Sequence, residues 1–468
     1  MSRGFESHTL RKSICTLRRT WGSARTIRPE RTRVSTIKPA KRGRRTVARH
    51  GRLTSPHPFA QLMKVVAVAV AVVLVAGLGV GGYVLYDLTQ SYTADAIELE
   101  GQSDVPPDIG AIEGGVNLFI AGTDKCEPEY ADIFGDRCTG PDSASELNDV
   151  NMLVHISDEP RRVTVISFPR DLMVPIPSCT DADGTTSPAM TKQQINTTFS
   201  YGGLSCTVKT ISELSGQDIP FAATVTWGGV IEITNAIGGV DVCVSGGIRD
   251  RYTGLDLTPG VHTIQGVEAL QFLRTRHGVG DGGDLGRISN QQQYMSRLVK
   301  KLVSEDVLSN PGTLYKLAST ALNSIDPSTS LTNPLTLAQI ALAVKDVPFD
   351  EITFIQYPTV ADPVDANRVI PNRSAATALW DALATNQPLE LTGEASQGDG
   401  VVVVDPTGAP TAEPTAEPTD AAPEAPAPTE SATGVPAPTE SAVALPDSIA
   451  GVTAAQETCS NGNLTGIG

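Results

Sequence analysis

Apolar positions follow two different periods between residues 113 and 392. "GVNLFIAG" (115–122) is an almost unbroken apolar run of strand length, and "RVTVISF" (162–168) is β-branched and apolar, so both predict buried strands. In "DVNMLVHIS" (149–157), Val150, Met152, Val154 and Ile156 recur at every second residue, the period of a strand. The four residues "DEPR" between these last two predict a tight hairpin. The period lengthens in "GLSCTVKTISELSG" (203–216), where Leu204, Val208, Ile211 and Leu214 share a helical face and Gly216 closes it. "WGGVIEITNAIGGVDVCV" (227–244) reads as a short helix, a Gly-Gly stop and a strand. "GVEALQFLR" (266–274) and "GRISNQQQYMSRLVKKLVSE" (286–305) predict two helices, the second carrying Ile288, Met295, Leu298, Val299 and Leu302 on one side. "LTLAQIALAVKDV" (335–347) and "NRSAATALWDALAT" (372–385) add helices around the strand "EITFIQYPT" (351–359). Strands interleaved with helices give an α/β fold class, a mixed sheet sandwiched by helices.

One run obeys neither period. Val65 to Tyr86, "VVAVAVAVVLVAGLGVGGYVLY", has 22 residues and no charge. At about 1.5 Å per residue it reaches roughly 33 Å, enough to cross a bilayer core, and predicts one transmembrane helix at 65–86. Charge orients it. Residues 1–64 hold 17 Lys/Arg against 2 acids (+15), and the remainder holds 19 against 50 (−31). Positive flanks mark the cytoplasmic side. The expected localisation is the cell membrane, single-pass, with the N-terminus cytoplasmic and the rest extracellular. The leader 1–64 lacks hydrophobic periodicity and is expected not to fold.

Beyond the span, 87–112 reads as a stalk and 113–392 as one globular domain long enough for a large core. Residues 393–448 read as an acidic Pro/Thr linker with near-repeats of "AEPT" and "PAPTESA", and 449–468 as a tail carrying Cys459 that can dock back on the domain. Six cysteines follow the span, an even number suited to disulfides in an oxidising compartment. Proximity pairs Cys126 with Cys138 and Cys179 with Cys206, leaving Cys243 and Cys459. None stands in a CxxC or Cys/His pattern, which argues against zinc.

The strand order makes a geometric prediction about chemistry. If the first two strands pair antiparallel, Asp124 at the end of one meets Asp149 at the start of the other, and the hairpin brings Arg170 of "PRD" to the same edge. Ligands in α/β sheets favour such strand-end crevices. "FLRTRHGVGDGGDLGRIS" (272–289) adds Arg274 and Arg276, which share a face if that segment is extended, and Arg287 at the start of the next helix. Guanidinium groups match phosphate oxygens in a two-pronged fork, and two carboxylates suit Mg²⁺ arriving with phosphates. Each piece also has a structural reading: an ion pair at Arg170, a turn cap at Asp124, surface charge at Arg274 and Arg276. The glycine loop lacks the ligand spacing of an EF-hand. No GxSxG, no Walker motif and no GxGxxG after a strand is present. The spacings alone support an anion site with Mg²⁺.

Taken together, "NLFIAGTDK", "NDVNMLVHIS", "RRVTVISFPRDLMVPIP", "QINTTFSYGG", "VIEITNAIGGVDVCV" and "GLDLTPGVHTIQGVEALQFLRTRHGVGDGGDLGRISNQQ" resemble the LytR–CpsA–Psr family of envelope glycopolymer ligases, in an actinobacterial form. The likeness covers roughly residues 113–310. It implies an α/β/α sandwich with a hydrophobic tunnel for a polyprenyl tail. It implies a phosphotransferase that moves a phospho-glycopolymer from a polyprenyl-pyrophosphate carrier to a muramic acid hydroxyl of peptidoglycan. By resemblance, Arg170, Arg274, Arg276 and Arg287 match pyrophosphate-binding positions, Asp124 and Asp149 match Mg²⁺-associated aspartates, and Gln291 and Gln292 fall within the motif. Asp124 is also the candidate to orient or deprotonate the acceptor hydroxyl.

The sequence departs from the family at one point. Where the family often has Arg-Ser-Asp before the second strand, Leu147-Asn148-Asp149 stands here, which removes one arm of the phosphate clamp. Two other readings use the same residues: a non-catalytic polyprenyl-pyrophosphate sensor acting as a transcriptional attenuator, and a pyrophosphatase with water as acceptor. The leader shows no helix-turn-helix, so no nucleic-acid partner is expected.

Overall fold

The structure, a computed structural model, describes residues 96–103, 115–303 (142 and 144 apart), 311–404 and 442–464, with isolated positions before residue 96. The chain divides into two compact units, 1–71 and 72–468. In the first, only Met63, Lys64 and Ala67 are described, all helical. The expected leader and nearly all of the expected transmembrane stretch 65–86 lie outside the described residues. Among those described, no helix is long and apolar enough to cross a membrane.

The second unit is built on strands β1 (Val116–Thr123), β2 (Asn148–Ile156), β3 (Val163–Phe168), β4 (Phe221–Thr226), β5 (Val240–Ser245), β6 (Gly260–Ile264), β7 (Ile325–Pro327), β8 (Ile352–Gln356), β9 (Val401–Val403), β10 (Gly451–Thr453) and β11 (Thr458–Asn461). The helices that matter here are α1 (Thr198–Ser215), α2 (Trp227–Ala236), α3 (Gly266–Arg274), α4 (Asp284–Leu302), α5 (Pro334–Val344) and α6 (Arg373–Ala384). A seven-stranded mixed sheet runs β7-β4-β1-β2-β3-β8-β10. β1, β2 and β3 are antiparallel neighbours, whereas β1 with β4 and β3 with β8 are parallel. A four-stranded sheet runs β6-β5-β11-β9.

Alternation along the strands sends side chains to two helix layers. Phe119, Ala121, Leu153 and Ile166 pack with Leu204, Val208 and Ile211 of α1 and Leu379 of α6. Met152, Val165, Phe221 and Phe354 face the other way, towards Met295 and Val299 of α4 and Leu337 and Ile340 of α5. A fully buried leucine such as Leu153 contributes about 1.5–3 kcal/mol by leaving water. The result is the expected helix–sheet–helix layering. α1 ends where Gly216 adopts φ 70°, a left-handed cap that a side chain would strain.

Three expected boundaries move. The stalk is not free at 96–103: Ile97 and Leu99 pack against the core, and Ile97 N donates to Pro327 O at 2.9 Å. The supposed linker is folded at both ends, because Val401 and Leu445 are buried, so that only 405–441 lies outside the described residues. The tail does more than dock. β10 closes one edge of the main sheet, and β11 lies inside the second sheet. All three disulfides form: Cys126–Cys138, Cys179–Cys206 and Cys243–Cys459.

Candidate active site

The predicted sheet edge exists. Gly122 pairs with Val150 and Thr123 with Asn148, so Asp149 has no residue opposite it and forms a β-bulge. A bulge re-aims its side chain, and here it turns Asp149 to Arg170, whose Nη1 donates to Asp149 Oδ1 at 2.6 Å. Arg287 of α4 donates from Nη2 to Asp149 O at 3.1 Å and contacts Asp284 Oδ1 at 2.5 Å. Burial opposes the charge on Asp149, but Arg287 and Arg170 outweigh it and hold the carboxyl below its usual range. Burial also opposes the charge on Arg170, and Asp149 and Asp284 more than offset it, raising its pKa.

Arg274 and Arg276 do not share a face. Arg274 is still helical, the last residue of α3, and only Thr275 is extended. Arg274 lies over the Trp227 ring, 3.7 Å from guanidinium carbon to centroid. Arg276 reaches Asp171 at 3.7 Å on the other flank of Arg287. Burial lowers the pKa of both, and neighbouring arginines add to it. The Nε atoms of Arg170, Arg276 and Arg287 are buried without a hydrogen bond, and Asp284 is held by its ion pairs to Arg287 and Arg170 alone. Buried donors are normally paired, so these Nε groups are the donors in the cluster suited to an anion.

Two spaces flank the cluster. On one side is a cavity of about 220 Å³, walled by apolar groups including Ile120, Met152, Val225, Ile233, Leu273 and Met295, with Asp149, Arg274, Arg287 and Gln291 the charged and amide groups on its lining. On the other is a polar cleft of about 510 Å³ that includes Asp171, Arg276, Asp284 and Arg368. Gln291 is committed, donating from Nε2 to Leu273 O at 2.9 Å, while Gln292 Nε2 reaches Ser167 Oγ at 3.3 Å.

Asp124 reaches the same edge but is otherwise engaged. Its Oδ1 accepts from Leu147 N at 2.8 Å and its Oδ2 from Arg137 Nε at 2.9 Å. Arg137 was missed in the sequence, although its place in the loop closed by Cys126–Cys138 was a signal. Also missed were Trp227 and Arg368, the latter donating to Asp171 Oδ1 at 2.6 Å across 197 residues. Burial and Asp284 raise the pKa of Asp171 against the pull of Arg170, Arg368 and Arg276. Among the described residues, no three acidic, His or Cys groups are grouped to hold a metal.

The model of the LytR_cpsA_psr family matches residues 83–385. The chain belongs to the LytR_cpsA_psr family. The cell wall biosynthesis protein LcpA of Corynebacterium glutamicum is 25% identical over 315 residues, 62% of this chain and 58% of that protein. The probable cell wall biosynthesis protein LcpB of the same organism is 27% identical over 271 residues, 58% of this chain and 61% of that protein. This chain therefore spans about three fifths of these curated family members. The polyisoprenyl-teichoic acid–peptidoglycan teichoic acid transferase TagT of Bacillus subtilis is 24% identical over 63% of this chain and 86% of its own. The solved LytR-Csp2A-Psr enzyme from Actinomyces oris is 23% identical, covering 62% of this chain and 96% of that one with a TM-score of 0.45.

Proposed function

We propose that the protein is a membrane-anchored phosphotransferase that moves a phospho-glycopolymer from a polyprenyl-pyrophosphate carrier to a muramic acid hydroxyl of peptidoglycan. One observation carries the reading: a cluster of arginines, three of whose Nε atoms are buried without a hydrogen bond, stands between an apolar cavity and a cleft lined by charged groups. A polyprenyl pyrophosphate glycan has the same division, with a hydrocarbon tail, a diphosphate and a sugar in that order. Family members named as teichoic acid–peptidoglycan transferases support it. Three disulfides support an oxidising compartment beyond the membrane, and the uncharged run 65–86 supports the anchor.

In this reading Arg274 and Arg287 take the phosphate next to the prenyl tail, and Arg170 and Arg276 the phosphate that bears the sugar. The acceptor hydroxyl oxygen attacks that second phosphorus, the bridging P–O bond breaks, and polyprenyl phosphate leaves. Charge developing on the phosphoryl and leaving oxygens meets guanidinium donors already in position, so positioning and electrostatics carry the step. Asp171, raised by burial, is the carboxylate suited to accept the hydroxyl proton. Asp124, with both oxygens accepting, fits the role of ordering the loop instead.

Mg²⁺ fits as an ion that comes with the phosphates. It would use one or two protein carboxylates plus phosphate oxygens; Asp149 at the cluster offers one, while both oxygens of Asp124 are already taken by Leu147 N and Arg137. When bound there it neutralises phosphoryl charge. The test uses the full chain in detergent with a lipid-linked glycopolymer and peptidoglycan. Arg274→Ala and Arg276→Ala, still folded, lose transfer, and full transfer by both overturns the reading. Donor cleavage without peptidoglycan indicates a pyrophosphatase, and binding without turnover a sensor.

A further inference from the structure

The loop that carries the arginines is held by segments outside the part of the chain that matches the family model, which ends at residue 385. Residues 275–283 join α3 to α4, and the stretch 278–286, which runs into the first turn of α4, includes five glycines. One arm of the hold comes from 397–400. Asp281 N donates to Gly398 O at 2.9 Å, and Ser289 Oγ to Gln397 O at 3.2 Å. The other comes from 461–463. Gly280 N donates to Asn461 O at 2.9 Å, Asn463 N to Gly278 O at 2.8 Å, and Asn463 Nδ2 to Gly280 O at 2.9 Å. The arms are tied to each other, since Asn461 N donates to Gly400 O and Asn461 Nδ2 to Asp399 O, both at 2.9 Å. Backbones touch without intervening side chains: a Cβ on Gly280 would stand 2.0 Å from Gly398 O, and one on Gly400 2.2 Å from Gly286 O. The Cys243–Cys459 disulfide and the β5–β11 pairing fasten the second arm to the domain.

We propose that Gln397–Gly400 and Asn461–Asn463 are a two-armed brace that positions Arg276 and Arg287, one at each end of the loop, for binding a prenyl diphosphate. The inference rests on the transferase reading of that site. Two other holds come from the matched domain: Val279 is buried in the core beside Val240 and Ile248, and Leu285 O accepts from Gln356 Nε2 at 3.2 Å. Within itself it makes only the Gly282 N to Val279 O and Gly283 N to Asp281 Oδ1 bonds, and glycines let the chain wander. Arg276 is held only at 3.7 Å from Asp171, and Arg170 and Arg287 beside it oppose its charge, so an unbraced loop relaxes by moving Arg276 away. The brace opposes that movement before the anion arrives. The two arms stand on either side of residues 405–441 in the sequence, so this part of the site is assembled from segments far apart along the chain.

Two variants test it without touching the arginines. Gly400 has φ −70° and ψ −23°, which alanine adopts freely, so Gly400→Ala acts only as a wedge against Gly286. Asn463→Ala removes one bond to Gly280. The full chain in detergent is titrated with geranylgeranyl diphosphate, and melting is recorded for the same samples. A displacement near 1 Å can cost about 100-fold, so Gly400→Ala is expected to weaken the dissociation constant roughly 10–100-fold. Asn463→Ala is expected to weaken it by a few-fold, on the order of one lost hydrogen bond. A purely architectural tail lowers the melting temperature while folded molecules bind as tightly as wild type, and that result overturns the proposal. If Gly400→Ala does not fold, Asn463→Ala decides alone, with wild-type affinity again overturning it. Failure of the wild-type chain to bind the diphosphate sinks the transferase reading itself, a separate outcome.

Discussion

Replacing Arg274 by alanine separates binding from stability. The guanidinium sits over Trp227 and makes no ion pair among the described residues. Burial and the nearby Arg287 charge hold its pKa down against the pull of Asp149, so the ligand-free fold tolerates this charge rather than gaining from it. Removal forfeits a desolvated cation–π contact of about 2 kcal/mol and relieves a desolvation cost of several kcal/mol, partly offset already by Asp149. The two effects oppose each other, so the ligand-free melt of Arg274→Ala should stay within about 1 kcal/mol of wild type or rise. Binding behaves differently. A hydrogen bond to a charged group contributes about 1.5–3 kcal/mol, which corresponds to roughly 10–100-fold in the dissociation constant for a prenyl diphosphate. At a ligand concentration 100 times the wild-type constant, wild type gains about 2.7 kcal/mol of stability. A variant bound 100-fold more weakly gains about 0.4 kcal/mol. Thermal melts with and without geranylgeranyl diphosphate read both quantities. Transfer should fall further, on the order of 10²–10³-fold, because charge grows on the leaving oxygen. The reasoning fails if the variant's ligand-induced shift equals that of wild type. It also fails if the ligand-free variant loses more than about 3 kcal/mol, which would make Arg274 a structural residue.

Other perturbations have definite signs. His155 is buried beside Asn117, its Nε2 without a partner, and burial pulls its pKa to about 4. The unfolded chain takes that proton near 6.5. Stability is therefore full above 6.5 and falls as the pH drops towards 4, by up to about 3 kcal/mol. Denaturant melts of wild type and His155→Gln across that range should diverge, and parallel curves would refute the assignment. Arg137→Ala strips a nearly buried Asp124 of its charge partner and should cost about 3 kcal/mol along with most transfer activity, with Arg137→Lys recovering part; unchanged stability would show that the pair does not hold the loop. Cys459→Ser opens a bond between residues 216 apart and should lower stability by about 3–5 kcal/mol in denaturant, whereas a loss under about 1 kcal/mol would mean the tail stays folded on its packing alone.

The alternation of Val150, Met152, Val154 and Ile156, and the helical spacing of Leu204, Val208 and Ile211, determined their elements because a strand or helix has a fixed period and one face must leave water. The meeting of Asp149 with Arg170 followed from that as well, since a tight hairpin returns the third strand to the edge where the second began. The six ordered stretches were enough to point to the family. Contacts between segments without a shared period were not legible. The bulge that turns Asp149, Trp227 beneath Arg274, Arg368 reaching Asp171, and the two arms on the glycine loop each join residues whose separation along the chain says nothing about their distance in space. Those contacts were decided when the helix layers closed on the sheet and the tail entered it, because close packing of a whole domain, not any local preference, sets which surfaces meet.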